Sequence, residues 1–185
     1  MSTTSKVWPG LLAGAAAGVA ASWVMNQFQS AIAERVAGIS KGHGAQSVRE
    51  GGPASYERKP RHEAGDDPAT KTAAAVAEWT TGEPLHGEER RRAGVAAHYA
   101  FGASMGALYG AAVEAWPNAS AGAGIPFGLS VWVGADQIAV PALGLSKKPD
   151  EYPEWIRWYS IAAHAVYGLT TELARRGILR ALHAA

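Results

Sequence analysis

Ionisable residues are absent, or nearly so, from four long stretches of this chain. Between Val7 and Ala33 there is no Asp, Glu, Lys, Arg or His, a run longer than the roughly 20 residues a helix needs to cross a bilayer. Ala93 to Val113 carries only His98, Ala115 to Ala135 carries none, and Ile156 to Thr171 carries only Arg157 and His164. The pattern predicts an all-α protein, a four-transmembrane-helix bundle with spans at about 7–33, 93–113, 115–140 and 155–173. The fourth is the least apolar and needs neighbouring helices to shield its Arg and His. A soluble bundle of Ala- and Gly-rich helices is the alternative. Against it, a soluble amphipathic helix carries charge on its outer face, whereas residues 93–145 offer only Glu114 and Asp136. A secretory signal is a second alternative, with Lys6 before an apolar run and small residues at Ala20 to Ser22. The later spans favour an uncleaved first helix.

Residues 34–92 are the one extended polar region, an insert between the first two spans and not a second domain. Between Gly38 and Asp67 it is rich in Gly, Pro and mixed charge, which predicts loop. Asp67 as N-cap, Pro68 at the first helical position and the apolar Ala73, Ala74, Val76, Ala77 and Trp79 predict a short helix at about 68–80, ending near Gly82 and lying at the membrane surface. Trp116-Pro117-Asn118, followed by Gly122 and Gly124, predicts a tight antiparallel hairpin between the second and third spans. Ser146 to Glu154, with Lys147, Lys148, Pro149 and Pro153, separates the third from the fourth.

Two segments recur. Gly14, Gly18, Asn26 and Gln27 have the mutual spacing of Gly124, Gly128, Asp136 and Gln137, and Ala96-Ala97-His98 before Phe101-Gly102 resembles Ala162-Ala163-His164 before Tyr167-Gly168. Such a match describes two repeated helical hairpins, related as parallel repeats about an axis along the membrane normal. It also brings Asn26, Gln27, Asp136 and Gln137 to the depth of His98 and His164, as one polar layer.

Ionisable groups within a bilayer cost about 2.5–3.5 kcal/mol each on insertion scales and normally face the bundle interior or a watery cavity. The plainest role for His98, His164 and Asp136 is to hydrogen-bond helices together, at roughly 0.6–2 kcal/mol per contact. Three sharper roles compete with it. The three residues would relay protons or respond to pH, since imidazole titrates near about 6.5. They would bind a divalent metal, two imidazoles and a carboxylate leaving one position open. Or His98 and His164 would ligate a haem iron, each four residues before a glycine. The glycines Gly10, Gly14 and Gly18, Gly102, Gly106 and Gly110, and Gly168 allow close backbone approach, within the monomer or between copies. Glu114 and Glu172 are placed to form end-of-helix ion pairs with Arg175 or Arg176.

Composition narrows the partners. Seventeen Lys plus Arg against sixteen Asp plus Glu give a formal charge of +1, with no basic field for nucleic acid. The absence of cysteine excludes disulfides, thiolate metal sites and thiol catalysis within this sequence. No nucleophile motif, phosphate loop or paired-carboxylate arrangement is present, so the expectation is a protein without enzymatic activity, without a resident cofactor, and with the lipid bilayer as its main partner. Other membrane proteins, or a second copy, are the further candidates.

The second half resembles the YagU-like family of small bacterial inner-membrane proteins. The resemblance is carried by His98, Phe101, Tyr109, Glu114 and Pro117, by Pro141, Leu143, Gly144 and Leu145, and by Pro153, His164, Glu172, Arg175 and Arg176. It covers roughly residues 90–180, and the 34–92 insert departs from it. It implies a multi-pass protein of the bacterial inner membrane, with a link to survival in acid, and supplies no reaction or ligand. The leading expectation is therefore a proton- or pH-linked role for the His98, Asp136 and His164 layer. The runner-up is a non-catalytic accessory subunit of a larger membrane complex. Orientation stays open, because Arg90, Arg91, Arg92, Lys147 and Lys148 on one side are answered by Arg175, Arg176 and Arg180 on the other.

Overall fold

The computed structural model describes residues 3–37, 68–146, 149–152 and 154–184. The expected loop between Gly38 and Asp67, the N-cap at Asp67, and Lys147, Lys148 and Pro153 lie outside the described residues. All regular structure among the described residues is helical. Helix α1 spans Thr3–Ala37, α2 Pro68–Thr81 and α3 Gly87–Ala115. A 3-10 stretch, Pro117–Gly124, leads into α4 (125–142), which is α-helical over Ile125–Val131, π-helical over Trp132–Ala139 and α-helical again over Val140–Ala142. A 3-10 turn at Pro149–Glu151 precedes α5, Glu154–Ala184.

Two of these segments, Val7–Ile32 and Pro117–Ala142, are long and apolar enough to cross a membrane. The helices overrun the apolar stretches that predict them. Thus α3 starts on the polar Glu88 to Arg92 and α5 continues past Thr171 for three further turns, because helix formation needs only backbone bonds and tolerates polar residues once it is nucleated. The predicted span at 115–140 coincides with the Pro117–Ala142 segment, which is not one regular helix: Ala121 is extended (ψ 142°), and Gly122, Ala123 and Gly124 have positive φ of 70°, 55° and 81°, so the α-helical part begins at Ile125. Instead of a three-residue hairpin turn, the chain uses residues 116–124 to reverse. Gly124 can take the left-handed N-cap conformation because it has no Cβ.

The chain forms two compact units. The first comprises residues 1–25, 99–133 and 161–185. Its helices meet backbone to backbone. Gly10, Gly14 and Gly18 of α1 face Gly110, Gly106 and Gly102 of α3, in reverse order and hence antiparallel, and a Cβ on Gly14 or Gly106 would overlap the carbonyl oxygen of the other. On the other side of this unit Gly124 and Gly128 face Gly168 and the His164 carbonyl of α5. The interior is correspondingly lined by small residues, with Ala13, Ala17, Ala21 and Ala163 buried. Aromatic rings fill the remaining width. Tyr109 stacks on Phe127 at 4.3 Å between centroids, Phe127 lies 6.0 Å from Tyr167, and the Tyr167 hydroxyl donates to the Gly102 carbonyl at 2.7 Å. Bulky apolar side chains lie outside: Trp8, Leu12, Val19 and Trp23 of α1 and Leu108 of α3 are exposed. This inverts the pattern of a water-soluble bundle and matches helices that pack through small residues and present large ones to lipid.

The second unit comprises residues 26–98 and 134–160. It is held by side chains. The Tyr159 hydroxyl donates to the Gln29 carbonyl at 2.9 Å and its ring stacks on Phe28, while Tyr152 and Ile156 are buried. Helix α2 is fastened at its first turns. Thr70 occupies the space over Gly94 of α3, where a Cβ would overlap the threonine side chain, and the Lys71 ammonium donates to the Leu145 carbonyl at 2.9 Å.

Candidate functional site

Asp136 is the one acidic residue of the Pro117–Ala142 segment, and it is buried to 5% exposure. It sits in the π-helical stretch Trp132–Ala139. A π turn carries one residue more than an α turn, which widens the helix, re-aims its side chains and recurs at functional positions. Ser160 of α5 donates its hydroxyl to Asp136 Oδ2 at 2.9 Å, with both groups buried in the second unit. A carboxyl so placed carries an exchangeable acidic proton, which an amide there would lack.

The other predicted polar positions are dispersed. Asn26, Gln137 and His98 are half-buried, Gln27 is exposed, and His164 is buried. His98, Asn26, Gln27 and Gln137 belong with Asp136 to the second unit, and His164 belongs to the first. Among the described residues, no three of His, Cys, Asp and Glu gather so as to hold a metal ion, which leaves the three-ligand metal reading of His98, Asp136 and His164 without a donor set there.

The glycine contacts also correct the register of the repeat. Gly168 packs against both Gly124 and Gly128 as Gly106 packs against both Gly14 and Gly18, and the His164 carbonyl meets Gly128 as the Gly102 carbonyl meets Gly18. In space, therefore, His164 corresponds to Gly102. The counterpart of His98, one turn earlier on α5, is Ser160. Matching His98 to His164 by sequence is wrong by one helical turn, because register follows where backbones touch and not where a short Ala-Ala-His string recurs.

A second polar group lies within the first unit, where Glu172 is fully buried and Arg175 nearly so. Arg175 grips Glu172 with two bonds, Nε to Oε2 at 2.8 Å and Nη2 to Oε1 at 3.2 Å, and reaches Glu114 of α3 through Nη1 at 3.2 Å. Arg176 donates to the same Glu172 carboxylate. Two carboxylates are thus answered by two guanidiniums, and Gly10 leaves room for the Glu114 side chain. The charges are matched two to two within the group.

Ser160, Tyr159, Gln29 and Tyr167 carry no charge near neutral pH, so no pattern of charged residues marks them. A helical signal for part of them was nonetheless present: Ile156, Ser160, Ala163, Tyr167 and Thr171 recur every three or four residues along one buried stripe of α5.

A family model described as a protein of unknown function, DUF1440, matches residues 70–173. No curated protein and no solved structure matches the chain.

Proposed function

The chain belongs to the DUF1440 family of proteins of unknown function, and on that premise we propose that it is a multi-pass inner-membrane protein, not an enzyme, in which Asp136 exchanges protons. The carrying observation is a carboxyl buried in a π-helical turn of an apolar segment, with the Ser160 hydroxyl directed at it. Burying an acid at such a place costs about 2.5–3.5 kcal/mol, and a serine can donate to the ionised form and accept from the protonated one, so the pair accommodates both states. His98, in the same unit, is the candidate partner that would deliver or accept the proton. The resemblance to the YagU-like family supports placement in a bacterial inner membrane and a part in acid tolerance.

Four crossings, by α1, α3, the 117–142 segment and α5, put residue 118 and residue 83 on opposite sides of the membrane. Because the chain lacks cysteine, Asn118→Cys and Glu83→Cys each report one side by labelling with an impermeant maleimide. Labelling of both from the same side removes the four-span topology. For the proton role, Asp136→Asn in proteoliposomes is expected to abolish acid-driven proton flux, and in cells to lower survival in acid. Flux and survival equal to the parent protein would end this reading. Recovery of a stoichiometric protein partner on native purification, with flux absent from the parent itself, would favour the accessory-subunit reading.

A further inference from the structure

Helix α2 has two faces of different character. Thr70 and Ala74 are buried on one face, and Thr70 packs on Gly94 near the start of the apolar part of α3. Lys71 bonds the carbonyl of Leu145, three residues beyond the Pro117–Ala142 segment. Both fastenings are to chain at the ends of apolar stretches, so α2 lies at the level where those stretches meet water.

The opposite face consists of Thr72, Ala75, Val76 and Trp79, all exposed, with Trp79 at 85% and Val76 at 54%. No charged residue interrupts it: Lys71 and Glu78 fall together on one flank. A helix face turned to water normally carries charge. The threonine hydroxyls of α2 are also turned back on their own helix, Thr72 to the Pro68 carbonyl at 2.7 Å, Thr80 to Val76 at 2.8 Å and Thr81 to Ala77 at 2.8 Å. Satisfied in this way, a threonine presents mainly its methyl group to its surroundings.

We propose that α2 is an interfacial helix whose Trp79 and Val76 enter the boundary between lipid headgroups and acyl chains, with Lys71 as the residue that holds it at that depth. Tryptophan prefers this boundary, where its ring is in the apolar zone and its N–H meets polar groups. The inference rests on the membrane reading above and adds to it a lipid-contacting element outside the spans.

The test uses three single-cysteine variants, Trp79→Cys, Glu83→Cys and Leu108→Cys, each carrying a polarity-sensitive fluorophore and reconstituted in phosphatidylethanolamine–phosphatidylglycerol vesicles. All three positions are exposed on the protein, so substitution leaves the interior intact. The expected result is blue-shifted emission at position 79, several-fold protection from iodide relative to position 83, and quenching by a nitroxide attached near the lipid headgroup. Iodide access at 79 equal to that at 83, with position 108 quenched by lipid, overturns the inference and leaves the membrane reading standing. Water exposure at 108 overturns both. Disulfide formation between copies through Trp79→Cys, with no lipid quenching, would assign the face to a second chain and also overturn it.

Discussion

The two compact units solve the same packing problem by opposite means. In the first, helices approach until backbones touch, with glycine against glycine on α1 and α3 and glycine against the His164 carbonyl on α4 and α5. In the second, the contacts are single side-chain bonds, Tyr159 to Gln29, Ser160 to Asp136 and Lys71 to Leu145, and the close glycine Gly94 meets the Thr70 side chain first. Backbone contact allows few alternative arrangements. A hydrogen-bonded side chain can rotate away at a cost of about 1 kcal/mol. The contrast teaches where rearrangement costs least: the first unit is a frame, and the second is joined by contacts that can be exchanged one at a time.

Substitutions should divide along this line. Glu172→Leu, which takes from Arg175 its two-bond partner and leaves it only Glu114, is expected to cost about 3 kcal/mol, the low end of the range for breaking a buried pair. It should prevent stable accumulation, as judged by yield and by unfolding in detergent. Gly106→Leu forces the α1 and α3 backbones apart and is expected to cost about 1–3 kcal/mol or more, whereas Gly134→Leu, at a glycine with nothing within 4 Å, should be close to neutral. Equal losses at the two glycines would break the comparison. Tyr159→Phe in the second unit should lower stability by only about 0.6 kcal/mol, the average for polar contacts between membrane helices. Paired with Tyr167→Phe in the first, it tests whether the frame penalises the same atom deletion more heavily.

The smallest effect lies at the start of α3, where Glu88 faces Arg91 and Arg92 at the protein surface. Hydrogen bonds from Arg91, then Arg92, hold its carboxyl down at about 2. A depressed carboxylate supports the folded state above its ordinary titration range, and that support is lost as the pH falls through about 2. Carboxyl-carbon NMR should therefore find Glu88 still ionised at pH values where an unpaired glutamate is protonated, and an ordinary midpoint would show that the clasp does not persist in solution.

Much of this architecture was legible in advance, and for identifiable reasons. Helix positions follow from where charge is absent, the α2 start from Pro68, and the close approach of α1 to α3 from glycines four apart. The ion cluster was legible as well, since Glu172 and Arg175 or Arg176 are three or four residues apart on one helix. Three things were hidden. Positive φ at Ala123 has no marker in its residue type, so the break before Ile125 looked like continuous span. The π stretch has no compositional mark. Finally, Ser160 is a small hydroxyl that no search for titratable groups selects, although it is what Asp136 meets.

The wide turn around Asp136 means that α4 has a residue to spare. Insertions and deletions inside a helix are usually ruinous, since each turns the remainder by about 100°. Here the comparison runs the other way: removing Gly134, where even an added Cβ would meet nothing within 4 Å, would let the backbone bonds close into a regular helix while turning Asp136 off the direction of Ser160. A chain shortened by that one residue would keep its acid but lose the hydroxyl that faces it, so an ancestor or relative with a regular α4 is expected to lack a carboxylate at this place.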